Sequence, residues 1–149
     1  MIEIRHGSPS DREFWKSFDG HLSDAEFARK IRDGQAFVAL EDGDPAGLLR
    51  YGLFWDSVPF CNLLYIREDR RGRGIGRAIM GFWEDEMREL GYDFVLVSTQ
   101  SDEEAQHFYR KLGYRDCGCL ILDIPGHEQP AELFLLKDLR TNTQRRVER

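Results

Sequence analysis

The chain has 149 residues, of which 41% are hydrophobic and 32% charged, and its formal net charge at pH 7 is -6. This length supports a single domain with a substantial core, which we place at residues 1–139, followed by a polar and basic tail at residues 140–149. No apolar run reaches the roughly 18–20 residues that span a bilayer, and the N-terminus lacks the layout of a signal peptide. We therefore expect a soluble cytoplasmic protein without membrane partners, and the acidic composition argues against nucleic acid.

The N-terminal half is predicted to contain one strand, two short helices and a three-stranded meander. Alternation of apolar and charged residues indicates the first strand, and capping residues indicate both helices. Turns are predicted at 41–45 and 56–59, where acidic residues, glycine and proline cluster. The predicted elements are a strand at 1–5, a helix that begins at Ser8–Asp11 and ends near Gly20, a helix from Ser23 to Gly34, and strands at 36–40, 46–55 and 60–66.

The strand at 60–66 leads into a basic glycine loop that opens an amphipathic helix. Gly72, Gly74 and Gly76 keep side chains away from a ligand, and they let successive N–H groups point into one concavity at the positive end of the helix dipole. The loop therefore predicts a site for a phosphate or pyrophosphate. Two acids, Glu68 and Asp69, accompany its five arginines, which are Arg67, Arg70, Arg71, Arg73 and Arg77.

Spacing separates this loop from two other phosphate-binding loops. A Walker A loop ends in Gly-Lys-Ser/Thr, whereas Gly76 is followed by Arg77 and Ala78. A dinucleotide fingerprint needs a glycine three residues after its second glycine, but Arg77 or Ile79 occupies that position. Both alternatives are therefore poorly supported.

The C-terminal half is predicted to alternate helices and strands. The helix from Ile75 to Leu90 is expected to bury Ile75, Ile79, Phe82, Trp83 and Leu90, with Glu84, Asp85, Arg88 and Glu89 on the other side. The apolar run Phe94–Val97 indicates a buried strand in parallel pairing. A helix at 102–112, with Ala105, Phe108, Tyr109 and Leu112 on one face, precedes paired strands at 115–124 and 131–136. The tail from residue 140 is expected to be frayed or a mobile helix end.

Cysteines and histidines are scattered along the chain without the spacing of metal ligands. Three cysteines, an odd number, argue against a disulfide framework. We therefore expect neither a metal site nor disulfides. The residues concerned are Cys61, Cys117, Cys119, His6, His21, His107 and His127.

Two segments carry a resemblance to a known family. Arg71-x-x-Gly74-x-Gly76, preceded by the strand Leu64-Tyr65-Ile66, closely resembles the acyl-CoA-binding motif of the GCN5-related N-acetyltransferases (GNAT). The segment from Ala105 to Tyr114 is similar to the A-x-x-F-Y-x-x-L-G-F segment of the same family. The resemblance implies the GNAT fold, a mixed α/β sheet flanked by helices in which two central parallel strands splay apart to admit acetyl-CoA.

The resemblance also implies roles for individual residues. The backbone of Leu64 and Ile66 would hold the pantetheine arm and polarise the thioester carbonyl, and Tyr109 would protonate the departing thiolate. The acetyl-CoA site implied by the family comprises Leu64, Tyr65, Ile66, Arg71, Gly72, Arg73, Gly74, Ile75, Gly76, Arg77, Ser98, Asp102 and Tyr109. We expect Asp102, at a position where the family often has asparagine, to cap the helix that follows.

The general base is where the sequence departs from the family. Many members carry a glutamate at the position of Leu63, which cannot accept a proton. Asn62 could orient a water without serving as a base. Glu41, Asp56 and Ser98 are further candidates by expected proximity, and an acceptor amine of low pKa would need no base at all.

The acceptor follows least directly from the sequence. Aromatic and acidic residues interleave in the first two helices and in the hairpin, a composition that suits a small cationic amine. The aromatic and histidine positions are Phe14, Trp15, Phe18, His21, Tyr51, Phe54, Trp55 and Phe60. The first hypothesis is an acetyl-CoA-dependent N-acetyltransferase acting on a small amine in a ternary complex, without a metal. The alternatives are a non-catalytic acyl-CoA-binding sensor and an enzyme acting on a protein or peptide amine, and a homodimer is compatible with each.

Overall fold

A computed structural model describes residues 1–147 of the chain. It contains seven strands and five helices within that range. The strands are β1 (Ile2–His6), β2 (Ala36–Glu41), β3 (Asp44–Phe54), β4 (Val58–Ile66), β5 (Phe94–Gln100), β6 (Arg115–Leu120) and β7 (Glu132–Asp138). The helices are α1 (Arg12–Phe18), α2 (Asp24–Arg32), α3 (Ile75–Glu89), α4 (Ala105–Lys111) and α5 (Asn142–Val147), and single 3-10 turns cover Pro9–Asp11 and Glu68–Arg70. None of the helices in the described range is long and apolar enough to cross a membrane.

The strands hydrogen-bond in the order β1-β2-β3-β4-β5-β7-β6. Pairing is antiparallel for β1–β2, β2–β3, β5–β7 and β6–β7, whereas β4 and β5 are parallel through Phe60↔Leu96 and Cys61↔Val97. Beyond these two pairs, β4 runs on to Ile66 and β5 to Gln100. The predicted mixed α/β fold is thereby confirmed, including the parallel pairing of the central strands.

The chain divides into two compact units. The first comprises residues 1–52 and 62–85, and the second comprises residues 53–61 together with those from 86 onward. In the first unit, α1 and α2 cover one face of the sheet, where Trp15 and Phe27 pack with Val38 and Leu48. On the other face, α3 places Trp83 5.9 Å from the ring of Tyr51.

The buried stripe of α3 differs from the predicted one. Ile75, Ile79 and Trp83 are buried as expected, but Phe82 is 36% exposed and Leu90 61% exposed. Glu84, predicted on the solvent side, is only 4% exposed. Met80 and Met87 complete the buried stripe. The prediction assigned positions from hydrophobicity alone, whereas Met80, Glu84 and Met87 follow one another at four- and three-residue intervals and so share one side of the helix.

In the second unit, β7 lies between β5 and β6. Val97 on β5 pairs with Leu135 on β7, and both are fully buried, whereas all six residues of β6 are exposed. The predicted pairing of the last two strands is confirmed, but β6 ends at Leu120 and not at residue 124.

Several other boundaries also differ from the predictions. The turn predicted at 56–59 covers 55–57, so that Val58 and Pro59 belong to β4. Helix α4 begins only at Ala105, and the tail forms α5 up to Val147. Residues 148–149, the end of the predicted tail, lie outside the described residues.

Candidate active site

Two glycines of the loop have a left-handed backbone conformation. Gly72 and Gly74 have φ values of +77° and +86°, a region that residues with a Cβ rarely adopt. The amide of Ala78 donates to the Gly74 carbonyl (3.0 Å), and this bond starts the ladder of α3. The earlier N–H groups of α3 therefore have no acceptor within the helix, and an anion can accept from them.

Three of the five loop arginines are engaged in ion pairs with acids at the β2–β3 turn. Arg70 contacts both Glu41 (2.7 Å) and Asp44 (2.6 Å), and Arg73 contacts Glu41 (2.8 Å). Arg67 pairs with Asp44 at 2.9 Å. The loop consequently presents less unpaired positive charge than its sequence indicates, since these pairs tie it to the hairpin.

Arg71 is engaged differently, through the strand that precedes the loop. Its Nε donates to the carbonyl of Ile66 (3.0 Å), and its guanidinium lies 5.5 Å from the centre of the Tyr65 ring. Tyr65 stacks in turn on Phe18, with 4.8 Å between ring centroids. Packing thus fixes the Tyr65 side chain between Phe18 and Arg71. A cleft of about 390 Å³ beside this stack is lined by Phe18, Tyr65, Arg67, Glu68 and Asp69.

Tyr109, the predicted proton donor, is 6% exposed on α4. Its ring contacts Phe108 (5.4 Å) and meets Tyr114 edge-on (5.7 Å). Burial raises the pKa of the Tyr109 phenol well above its ordinary value, and Cys61 and Glu103 raise it further. The phenol therefore stays protonated throughout the physiological pH range.

The start of α4 differs from the expectation for Asp102. Asp102 is exposed in a turn and does not cap the helix, whose first turn carries no side-chain cap. The Glu103 carboxylate accepts from the amide of Gln100 (3.1 Å), and Gln106 donates to the carbonyls of Ser101 and Glu103. The helix begins three residues later than predicted, and the side chains of Glu103 and Gln106 hydrogen-bond the backbone of the turn before it.

Asn62 lies near a lysine that sequence analysis missed. A Cβ built on Gly52 would be 3.1 Å from Asn62 Nδ2 and 3.2 Å from Lys30 Nζ. Lys30 is 6% exposed and donates to the carbonyl of Tyr51 (2.5 Å) and to Gln35 (3.2 Å). Burial lowers the pKa of the Lys30 ammonium, and Arg29 and Arg50 lower it further. Its position three residues after Phe27, on the apolar face of α2, was the sequence feature that could have indicated its burial.

The other candidate bases differ in their surroundings. Glu41 is occupied by Arg70 and Arg73, and Asp56 is exposed in a turn. Ser98 is half-buried on β5. Among the predicted site residues, those from Asn62 to Arg77 belong to the first unit, whereas Ser98, Asp102 and Tyr109 belong to the second.

Residues 5–114 match the acetyltransferase (GNAT) family. The chain belongs to this family. The match includes the glycine loop, Tyr109 and the whole of both segments that carried the resemblance. The family assignment predicted from the sequence is therefore confirmed.

Two curated relatives of this GNAT protein are acetyltransferases of small molecules by name. The streptothricin acetyltransferase of Streptomyces lavendulae is 34% identical over 116 residues, which cover 74% of this chain and 61% of the relative. The chain thus spans about three fifths of that relative's length. The D-amino-acid N-acetyltransferase HPA3 of Saccharomyces cerevisiae is 27% identical over 137 residues, covering 76% of this chain and 85% of the relative.

A solved structure of the same fold contains a CoA compound. Arabidopsis thaliana Naa50, in complex with the bisubstrate analogue CoA-Ac-MVNAL, superposes with a TM-score of 0.75 at 16% identity. The superposition covers 92% of this chain and 98% of Naa50. At this identity the likeness shows the shared fold, and it leaves the acceptor of the GNAT protein described here open.

Proposed function

We propose that the protein is an acetyl-CoA-dependent N-acetyltransferase that acetylates a primary amine of a small molecule in a ternary complex, without a metal. The observation that carries this proposal is the left-handed backbone at Gly72 and Gly74, within the family match, where the loop opens a 15-residue helix. Such a helix start binds the pyrophosphate of CoA through free N–H groups and the helix dipole. Both curated relatives are named as acetyltransferases, which agrees with this activity.

Backbone and side-chain groups of the loop make different proposed contacts with acetyl-CoA. The N–H groups of Ile75, Gly76 and Arg77 supply the pyrophosphate contacts, and Gly72 and Gly74 allow the backbone to approach. The side chains of Arg71, Arg73 and Arg77 add positive charge at the rim, although Arg73 also contacts Glu41. Further along the chain, Ser98 and Asp102 complete the proposed cofactor contacts.

Strand β4 and Tyr109 carry the proposed chemistry. Acetyl-CoA supplies the activated acyl group when bound. The Leu64 N–H donates to the thioester oxygen and stabilises the negative charge that develops on it when the amine attacks. As the carbon–sulfur bond breaks, the Tyr109 hydroxyl donates its proton to the sulfur and is then reprotonated from solvent. The acceptor nitrogen loses its own proton to a water, which the Asn62 amide orients.

Leu63 favours a second candidate function. The carboxylate that many family members place there is missing, so a protein that binds acyl-CoA without turnover is the alternative. The two functions differ in one measurable step, because both require acetyl-CoA binding and only the enzyme releases CoA.

Two assays run in parallel test the proposal. We expect acetyl-CoA to bind in titration calorimetry and free thiol to appear when an amine from a panel of polyamines, aminoglycosides, amino acids and peptides is added. Gly74→Asp should abolish binding, because it forces a side chain into the left-handed region and adds a negative charge at the pyrophosphate.

Gly126→Asp is the matched control for that variant. Gly126 has the same φ of +86°, and likewise meets no heavy atom within 4 Å of a built Cβ in the described chain, but lies in the loop before β7. Normal binding by the Gly74 variant would overturn the loop assignment. Tight binding with no thiol release from any acceptor would instead select the non-catalytic function.

A further inference from the structure

Four aromatic rings form a continuous cluster in the second unit, which we call the aromatic cluster. Trp55 contacts Phe54 (4.7 Å between ring centroids), Phe54 contacts Phe60 (6.2 Å), and Phe60 contacts Phe134 (5.8 Å). Trp55 is 78% exposed and Phe54 is 37% exposed. Large rings left this accessible and in mutual contact mark a surface suited to a ligand, whereas single exposed apolar residues do not.

The β3–β4 turn presents Trp55 outward at a conformational cost. The Ser57 amide donates to the Phe54 carbonyl (3.2 Å), and Trp55 and Asp56 have φ values of +55° and +61°. Positive φ is rare for a bulky residue, and glycine is the residue that ordinarily occupies such a turn. The chain thus keeps a large ring at a position where glycine would relieve backbone strain.

The strand register connects the aromatic cluster with the proposed cofactor residue Ser98. Ser98 pairs directly with Phe134, so the two side chains lie on one face of the sheet. Cys61, Val97 and Leu135 alternate with these residues, share the opposite face and are at most 5% exposed. The aromatic cluster therefore lies on the accessible face of the strands that also carry Ser98.

The two chain segments that carry the aromatic cluster are acidic. The segments 53–61 and 117–136, which contain all four rings, include four acids and no lysine or arginine. All 21 lysines and arginines of the chain lie elsewhere. The four acids are Asp56, Asp123, Glu128 and Glu132, and the two segments contain one histidine, His127. Aromatic faces attract cations, and acidic segments favour a cationic ligand over a carboxylate.

We infer that the acceptor is an amine that carries a second positive charge and no carboxylate, and that the aromatic cluster binds this second charge against the Trp55 ring. This inference rests on the proposed function and narrows it to one substrate class. The inference disfavours free amino acids as acceptors, because these segments offer acids that would repel their carboxylate and no lysine or arginine that would pair with it. The reacting amine is then the one at the other end of the acceptor.

Matched acceptors that differ by one carboxylate test the inference. Cadaverine is compared with lysine and agmatine with arginine, by thiol release with saturating acetyl-CoA and by calorimetric binding to the CoA-loaded protein. We expect each decarboxylated acceptor to have a kcat/KM at least about tenfold higher. Trp55→Gly should raise the KM and the Kd for cadaverine about 5- to 30-fold, the size of a cation–π contact, while the Kd for acetyl-CoA stays unchanged.

Glycine suits the positive φ at position 55, so this variant should fold at least as well as the parent. Trp55→Phe keeps an aromatic face and should stay within about threefold of the parent. Equal or better use of lysine, or unchanged cadaverine KM and Kd in Trp55→Gly, would overturn the inference. Because binding is measured independently of turnover, a protein that fails to bind cadaverine also overturns it. Failure of the proposed function is distinct, since it shows as absent acetyl-CoA binding or absent turnover with every acceptor.

Discussion

Tyr109→Phe isolates the proposed proton donor from the structure around it. The substitution removes one hydroxyl and keeps a ring that is 6% exposed and packed against Phe108 and Tyr114. Since the apolar volume is conserved, we expect the free energy of unfolding to change by less than about 1.5 kcal/mol. The affinity for acetyl-CoA should also persist, because the loop that binds the pyrophosphate is untouched.

The effect on turnover should be large by comparison. A positioned general acid contributes about 10²–10⁴ in rate, so kcat should fall at least about 100-fold, equivalent to about 2.7 kcal/mol of transition-state stabilisation. Burial raises the pKa of the phenol, which keeps the proton in place through the physiological range. The ratio of parent to variant kcat should therefore be the same at pH 6 and at pH 9.

The assay is thiol release under saturating acetyl-CoA, with kcat and KM determined separately and acetyl-CoA binding measured by calorimetry. Tyr114→Phe is the matched control, because it removes a hydroxyl from the neighbouring buried tyrosine, which is 3% exposed. A kcat within threefold of the parent for Tyr109→Phe would refute the assignment. A ratio that collapses at alkaline pH would show that the phenol titrates there and that burial does not hold its proton.

Three further predictions concern stability and the loop. Asp19→Ala should lower the free energy of unfolding, measured by urea titration, by about 3–5 kcal/mol. It leaves Arg50 (2.7 Å) and the Trp15 indole N–H (3.0 Å) without their buried acceptor. The control is Asp24→Ala, which removes an exposed carboxylate. Burial alone would raise the pKa of Asp19, but hydrogen bonds from Arg50 and Trp15 outweigh burial and lower the pKa. The stability that Asp19 contributes is therefore present above the ordinary pKa of about 3.9 and should be lost as the pH falls through and below that value. A melting temperature equal at pH 7 and pH 3 would contradict this. Arg77→Ala should weaken acetyl-CoA binding about 3- to 10-fold, as expected for one lost charge-assisted contact. Arg67→Ala should weaken binding less, because the Arg67 guanidinium is already paired with Asp44 and Asp69. Equal losses of affinity in calorimetry would show that pairing does not decide which arginines bind the ligand.

Local sequence determined the parts of this protein that depend on neighbouring residues. Local sequence patterns predicted five of the seven strands to within about two residues at each end. They also predicted α2 with Ser23 as its cap, whose hydroxyl accepts from the Glu26 amide. The order of strand, glycine loop and helix was predicted for the same reason, and glycine permits the positive φ observed at Gly72 and Gly74. The family followed from these local patterns and from the segment around Tyr109.

Only the tertiary structure decided which side chains are available to a ligand. Five arginines in one loop look equivalent in sequence, yet acids some 26–32 residues away engage Arg70 and Arg73. Trp15 and Trp55 were equal candidates for an acceptor site, but one is 1% exposed in the core and the other 78% exposed on a turn. The spacing from Phe27 could indicate that Lys30 is buried, but it does not identify its partner, the Tyr51 carbonyl 21 residues away. Periodicity within one element indicates which face is buried, but the partner of each side chain depends on which distant segments meet.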